Sequence, residues 1–172
     1  LFAKNSEQHR SALSSFLLLM IFLGIVSTSY TLYNNRPILL DPSTGWKIAT
    51  GSLGQSLSQA FFGTGPGHYV DAFTLYKNPD FNLGPYWNLR FSTSSNHYFY
   101  LLTTLGIAGL SSFLFIAWKF FQIARKRLDN GSGNSFEKGL IASIGLLLAI
   151  QIFLPAPTST TLLFFTLLGL LI

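Results

Sequence analysis

Three stretches without a charged side chain decide what this sequence can become: Ser11 to Asn35, Tyr98 to Trp118, and Gly139 to Ile172. A helix needs about 20 mostly apolar residues to cross the hydrocarbon core of a bilayer. The first two stretches meet that length, and the second, "YFYLLTTLGIAGLSSFLFIAW", carries aromatics at both ends, where interfacial anchors belong. The third is interrupted by Pro155 and Pro157. Two nearby prolines remove backbone donors and crowd the preceding turn, so the run is read as two segments meeting in a tight turn. The expected fold is an all-α integral membrane protein, a polytopic helical bundle fragment of about four spans at 11–33, 98–118, 139–154 and 158–172.

Composition agrees with that reading. Charged residues make up 10% of the chain, where about 25% is ordinary for a soluble domain. There is no Cys, so neither a disulfide framework nor a thiolate metal site is available. The net charge of +5 would suit a polyanion, but much of it sits between Lys119 and Lys138, in "KFFQIARKRLDNGSGNSFEK". Beside an apolar run such a cluster reports topology, and no nucleic-acid partner is expected. Placed with Lys4 and Arg10 on the cytoplasmic side, it leaves residues 34–97 as one large, partly helical extracytoplasmic loop. The 119–138 link is expected to turn at "DNGSGNS". No small-residue cleavage pattern follows the first apolar stretch, so a signal peptide is not expected. The chain starts on Leu1 and stops within "LLFFTLLGLLI", and it is read as a segment of a larger membrane protein.

The outer loop is too aromatic for a tether. Trp46, Phe61, Phe62, Tyr69, Phe73, Tyr76, Phe81, Tyr86, Trp87 and Phe91 all fall within it, and they predict a loop folded on itself or on the bilayer. Asp41 followed by Pro42 is a favoured helix start. Trp46, Ala49, Leu53, Leu57, Ala60 and Phe61 then recur at helical spacing. They predict one amphipathic helix ending at Gly63, able to lie in the interface plane, with Gly51 and Gly54 weakening it.

"GTGPG" follows, from Gly63 to Gly67. It lacks the Lys-Ser/Thr of a P-loop and the spacing of a dinucleotide fingerprint. A plain backbone turn fits it, and so does a bend whose amides approach an anion. Lys47, His68, Asp71, Tyr76, Lys77, Asp80, Arg90, Asn96 and His97 are the polar groups around it. His68 and His97 lack the tight spacing of metal ligands, and no metal is expected. Asp71 and Asp80 also read as solvated loop charges. Arg90, in "PYWNLRFSTSSNH", stands just before a span, where a guanidinium can fork onto phosphate or simply anchor in the head groups.

The order of these features resembles the O-antigen ligase/polymerase superfamily. The resemblance covers most of the chain and is densest from Trp46 to Leu110. It is carried by Trp46 and Ala49, by Gly63, Gly65, Gly67 and Tyr69, by Asn96, and by Leu102, Gly106 and Gly109. It implies a metal- and cofactor-independent glycosyltransferase of the bacterial cytoplasmic membrane. The donor would be a polyprenyl-pyrophosphate-linked glycan, and the acceptor a lipid, glycan or protein on the outer face. Cationic groups would stabilise the leaving pyrophosphate, a base would serve the acceptor hydroxyl, and aromatic faces would pack on sugar rings. His97 and Arg90 are the candidate catalytic residues. Trp46, Lys47, Gly65, Gly67, His68, Tyr69, Asp71, Tyr76, Lys77, Trp87 and Asn96 are the candidate substrate-binding set.

Two positions depart from the family pattern. "DPST" stands before "GW", where the family carries an Arg, and Ser95 occupies the family's usual His position, two residues before His97. A catalytically inactive relative acting as a scaffold is therefore the alternative. A transporter component is a further one, but it calls for ionisable groups or broken helices at membrane depth. The sequence up to Trp118 suggests unbroken spans.

Overall fold

The computed structural model describes residues 38–129 and 135–171, together with positions 19, 22–24, 26–31, 33 and 34. Residues 1–39 and 40–172 form separate compact units. In the first unit the described positions from 19 to 34 are helical and Ile38 and Leu39 are not, while about half of the expected 11–33 span lies outside the described residues.

The second unit is built from helices, and no strand occurs among its described residues. They are α1 (Pro42–Leu53), α2 (Leu57–Phe62), α3 (Tyr69–Tyr76), a short 3-10 turn (Pro79–Leu83), α4 (His97–Asp129), α5 (Ser135–Phe153) and α6 (Thr158–Leu171). Both α4 and α5 are long and apolar enough to cross a membrane. At 14 residues, α6 is shorter than a full crossing. Between α5 and α6 the chain turns at Pro155 to Pro157, as the two prolines lead one to expect.

α1 starts as its sequence dictates. The Asp41 carboxylate accepts from the backbone N–H groups of Ser43 and Thr44 and from the Ser43 hydroxyl, with Pro42 in the first turn. The Ser43 hydroxyl, more than the two amides, holds the Asp41 carboxyl below its ordinary value. The single helix expected to run on to Gly63 is instead divided. α1 caps at Gly54, and Ser56 restarts the chain as α2 by accepting from the Gln59 N–H. A glycine beside a good N-cap favours two short helices over one strained through both. The buried face also differs from the expected stripe. Gly45, Ile48, Ala49 and Ser52 are inside, whereas Trp46, Leu57 and Phe61 are exposed.

The interior of the region that precedes α4 is aromatic. Phe73, fully buried, meets Phe81 and Phe91 edge-on at 5.4 and 5.5 Å. Lys77 places its Nζ 5.4 Å from the Phe73 ring centre and 5.3 Å from that of Phe81. Such pairs add about 0.5–1.5 kcal/mol each beyond simple burial.

The largest departure from expectation is in α4. The helix begins at His97, but it does not end near Trp118; it runs on to Asp129. The basic residues from Lys119 to Arg127, expected in a link, are therefore helical, and the rest of the expected turn, 130–134, lies outside the described residues. The same helix is broken at Gly106, where φ is 67° and ψ is −163°. An L-residue rarely holds that conformation, so glycine is required there. The break removes the partners that the Thr103 and Thr104 carbonyls would find one turn on. Two amides of the glycine bend replace them: Thr64 N–H donates to Thr103 O and Gly65 N–H to Thr104 O, both at 2.9 Å. Gly63 and Gly106 meet face to face, and a Cβ on Gly63 would come within 2.6 Å of the Gly106 nitrogen. Each interruption of regular backbone thus satisfies the other.

Candidate functional site

The "GTGPG" segment is a bend set by backbone geometry. Gly63, Gly65 and Gly67 all have positive φ, at 71°, 101° and 81°. Two of its amides are already engaged by α4. Beyond it, His68 Nδ1 lies 2.9 Å from the Asp71 carboxylate at the start of α3, and both side chains are open to solvent. One His–Asp pair provides too few ligands for a metal, and no cluster of three or more such groups forms among the described residues.

His97 sits differently. It heads α4, where Asn96 caps the helix by accepting from the Phe99 N–H at 2.8 Å. Its ring is 5% exposed, lies 6.4 Å from the near-parallel ring of Tyr100, and meets Phe113 edge-on at 5.3 Å. Nδ1 is buried with no hydrogen-bond partner among the described residues.

His97 also lines a cavity of about 650 Å³, within the range of small-molecule sites. Its walls come from both halves of the broken α4 and from the start of α6, including Leu105, Phe113 and Phe165. The residues with polar groups that line it are few: Thr93, His97, Tyr100, Ser112, Thr158 and Thr161. A mostly apolar chamber with sparse polar groups suits an amphiphile better than a free sugar phosphate.

A second group of buried polar atoms lies beside α1. Ser94 and Ser95 are buried against Gly45, whose missing side chain makes room for both hydroxyls. The Tyr69 phenol, Ser94 Oγ and Ser95 Oγ all lack hydrogen-bond partners among the described residues. Burial pushes the Tyr69 phenol up to about 12; the Ser94 hydroxyl is near enough to oppose the shift without closing a well-formed bond. Sequence reasoning passed over these serines and Gly45. Only the Ser95 alignment with the family His pointed toward them.

Among the other residues singled out from sequence, the structure groups some and scatters the rest. Trp46 is half exposed and packs on Phe99 at 5.4 Å; Tyr69 packs on Tyr100 at 5.7 Å. Tyr76 fills the space beside Gly51, and Lys77 covers the aromatic cluster. Gly65 serves the bend and Asn96 the helix cap. Lys47, Gly67, Trp87 and Arg90 are exposed. Arg90 does not line the cavity and, among the described residues, forms no ion pair. The break at Gly106, beside that cavity, corrects the expectation of an unbroken span.

No family model matches the chain, no curated protein matches it, and no solved structure matches it.

Proposed function

We propose that the chain is part of a membrane glycosyltransferase of the O-antigen ligase/polymerase type, working at the outer face of a bacterial cytoplasmic membrane. The observation that supports this most is His97: a buried, unpartnered imidazole nitrogen at the head of a long apolar helix, on the wall of an apolar cavity. In this reading the donor is a glycan on polyprenyl pyrophosphate, and the acceptor is a lipid, glycan or protein hydroxyl. The hydroxyl oxygen bonds to the anomeric carbon while the bond from that carbon to the phosphate oxygen breaks. His97 accepts the hydroxyl proton, and polyprenyl pyrophosphate leaves with the electron pair. Arg90, exposed on the segment that leads into the same helix, would face the leaving pyrophosphate. Trp46, Trp87 and Tyr76 offer ring faces for sugars.

The scaffold alternative draws on a specific observation. Arg90 stands outside the cavity, and Ser95, not a histidine, occupies the family position. The transporter alternative gains the break at Gly106. Against it, the carbonyls of Thr103 and Thr104 that the break frees each already accept a backbone N–H, from Thr64 and Gly65.

The test is transfer by the full-length protein in proteoliposomes, given a polyprenyl-pyrophosphate-linked oligosaccharide and candidate acceptors. Release of polyprenyl pyrophosphate with matching glycan transfer is expected, and His97→Ala should lower it by about 10²-fold or more. Wild-type protein that never releases the carrier would exclude the enzyme reading. Unchanged transfer in both His97→Ala and Arg90→Ala would remove these residues from the mechanism.

A further inference from the structure

We propose that residues 57–67 form a re-entrant segment that dips into the membrane beside α4, with the bilayer covering its exposed apolar side chains. This rests on α4 crossing a membrane and not on glycan transfer.

Three contacts fix the path of the chain along α4. It descends past Trp46, which packs on Phe99. It reaches its far point at Gly63 to Gly65, against Thr103, Thr104 and Gly106. It returns by Tyr69, which packs on Tyr100. From Phe99 to Gly106 a helix advances about 10 Å. With His97 and Tyr98 at the membrane surface, that carries the bend past the head groups to the edge of the hydrocarbon.

The chemistry of the segment follows the same path. From Ile48 to Gly67 there is no ionisable residue, and the flanking positions are Lys47 and His68. Leu57, Phe61 and Phe62 are 82%, 54% and 70% exposed, and Phe61 and Phe62 come just before the far point at Gly63. Such a surface is poor in water and ordinary in lipid. Non-helical backbone is tolerated at membrane depth only where protein satisfies it. The bend and the α4 break meet that requirement in part, through the two amide–carbonyl bonds that join them.

These 172 residues contain no Cys, so once any cysteine elsewhere in the full-length protein is replaced, a single engineered thiol reports depth. Full-length protein carrying Phe62→Cys, and separately Leu57→Cys, would be labelled with a polarity-sensitive fluorophore and reconstituted into phosphatidylcholine/phosphatidylglycerol vesicles. Asn82→Cys, on the exposed 3-10 turn, is the aqueous control. Nitroxide-bearing lipids should quench the Phe62 and Leu57 labels severalfold more than the Asn82 label, and aqueous iodide should show the reverse order. Iodide access at Phe62 and Leu57 equal to that at Asn82 would overturn the proposal. So would shielding from both quenchers, which would mean that protein and not lipid covers this surface.

Discussion

The region from Leu40 to Leu105 and the helical pair α5–α6 are held together by different means. In the first of these nearly every turn has a named cause: Asp41 and Ser56 as caps, three glycines at positive φ, Asn96 at the head of α4. Its core is a small cluster around Phe73 and Tyr69. α5 and α6 are apolar almost all round, and they bury Ile144, Leu148, Phe164 and Leu171 among similar neighbours. Directional bonds fix a shape that can hold a site, while bulk apolarity fixes only a solvent preference. The cavity with His97 lies where the two meet, since its walls come from α4 and from the start of α6.

The sharpest way to break this comparison is to cut equal aromatics from both regions. Phe73 and Phe164 are each fully buried. Phe73→Ala should cost about 3–5 kcal/mol, read as a fall in thermal midpoint in lipid nanodiscs. Phe164→Ala should cost less there, because a helix separated within lipid remains among apolar groups. Equal losses would mean that one kind of packing serves both regions.

Smaller effects sharpen the contrast. Asp41→Ala should cost about 1 kcal/mol by stripping the cap from α1. Because the folded-state value of Asp41 is lowered, its contribution is present above the ordinary carboxylate value of 3.8 and is lost as pH falls through the lower, folded-state value. The acid limb of a stability–pH curve should therefore flatten in Asp41→Ala. Least of all, Gly145→Ala in α5 meets open space and should add about 0.5–1 kcal/mol of helix stability.

Much of this was legible in sequence, and what was not has a physical cause. Charge-free runs gave the long apolar helices, Asp41-Pro42 the start of α1, and Pro155 with Pro157 the turn before α6. These are local preferences, readable within a few residues. The break at Gly106 was not readable, since a lone glycine in "TTLGIAGL" is tolerated in a helix and breaks it only if something donates to the freed carbonyls. Those donors are the amides of Thr64 and Gly65, some forty residues earlier in the chain. The same holds for the site. His97 could be named from its place before a span, but its burial and the cavity beside it depend on α6. Ser94 and Ser95 needed Gly45 opposite them to show as a buried pair.

The central structural claim is that the glycine bend and the broken helix are one joint. Gly63 and Gly67 both have positive φ, yet a Cβ at Gly63 would strike the backbone of α4 while one at Gly67 meets nothing within 4 Å. The decisive measurement is the thermal midpoint of Gly63→Ala against Gly67→Ala in the full-length protein in nanodiscs. Gly67→Ala should lose only the left-handed backbone penalty, about 1–2 kcal/mol. Gly63→Ala should lose about 3 kcal/mol or more, because overpacking adds to the same penalty. Equal losses from the two substitutions would contradict the joint.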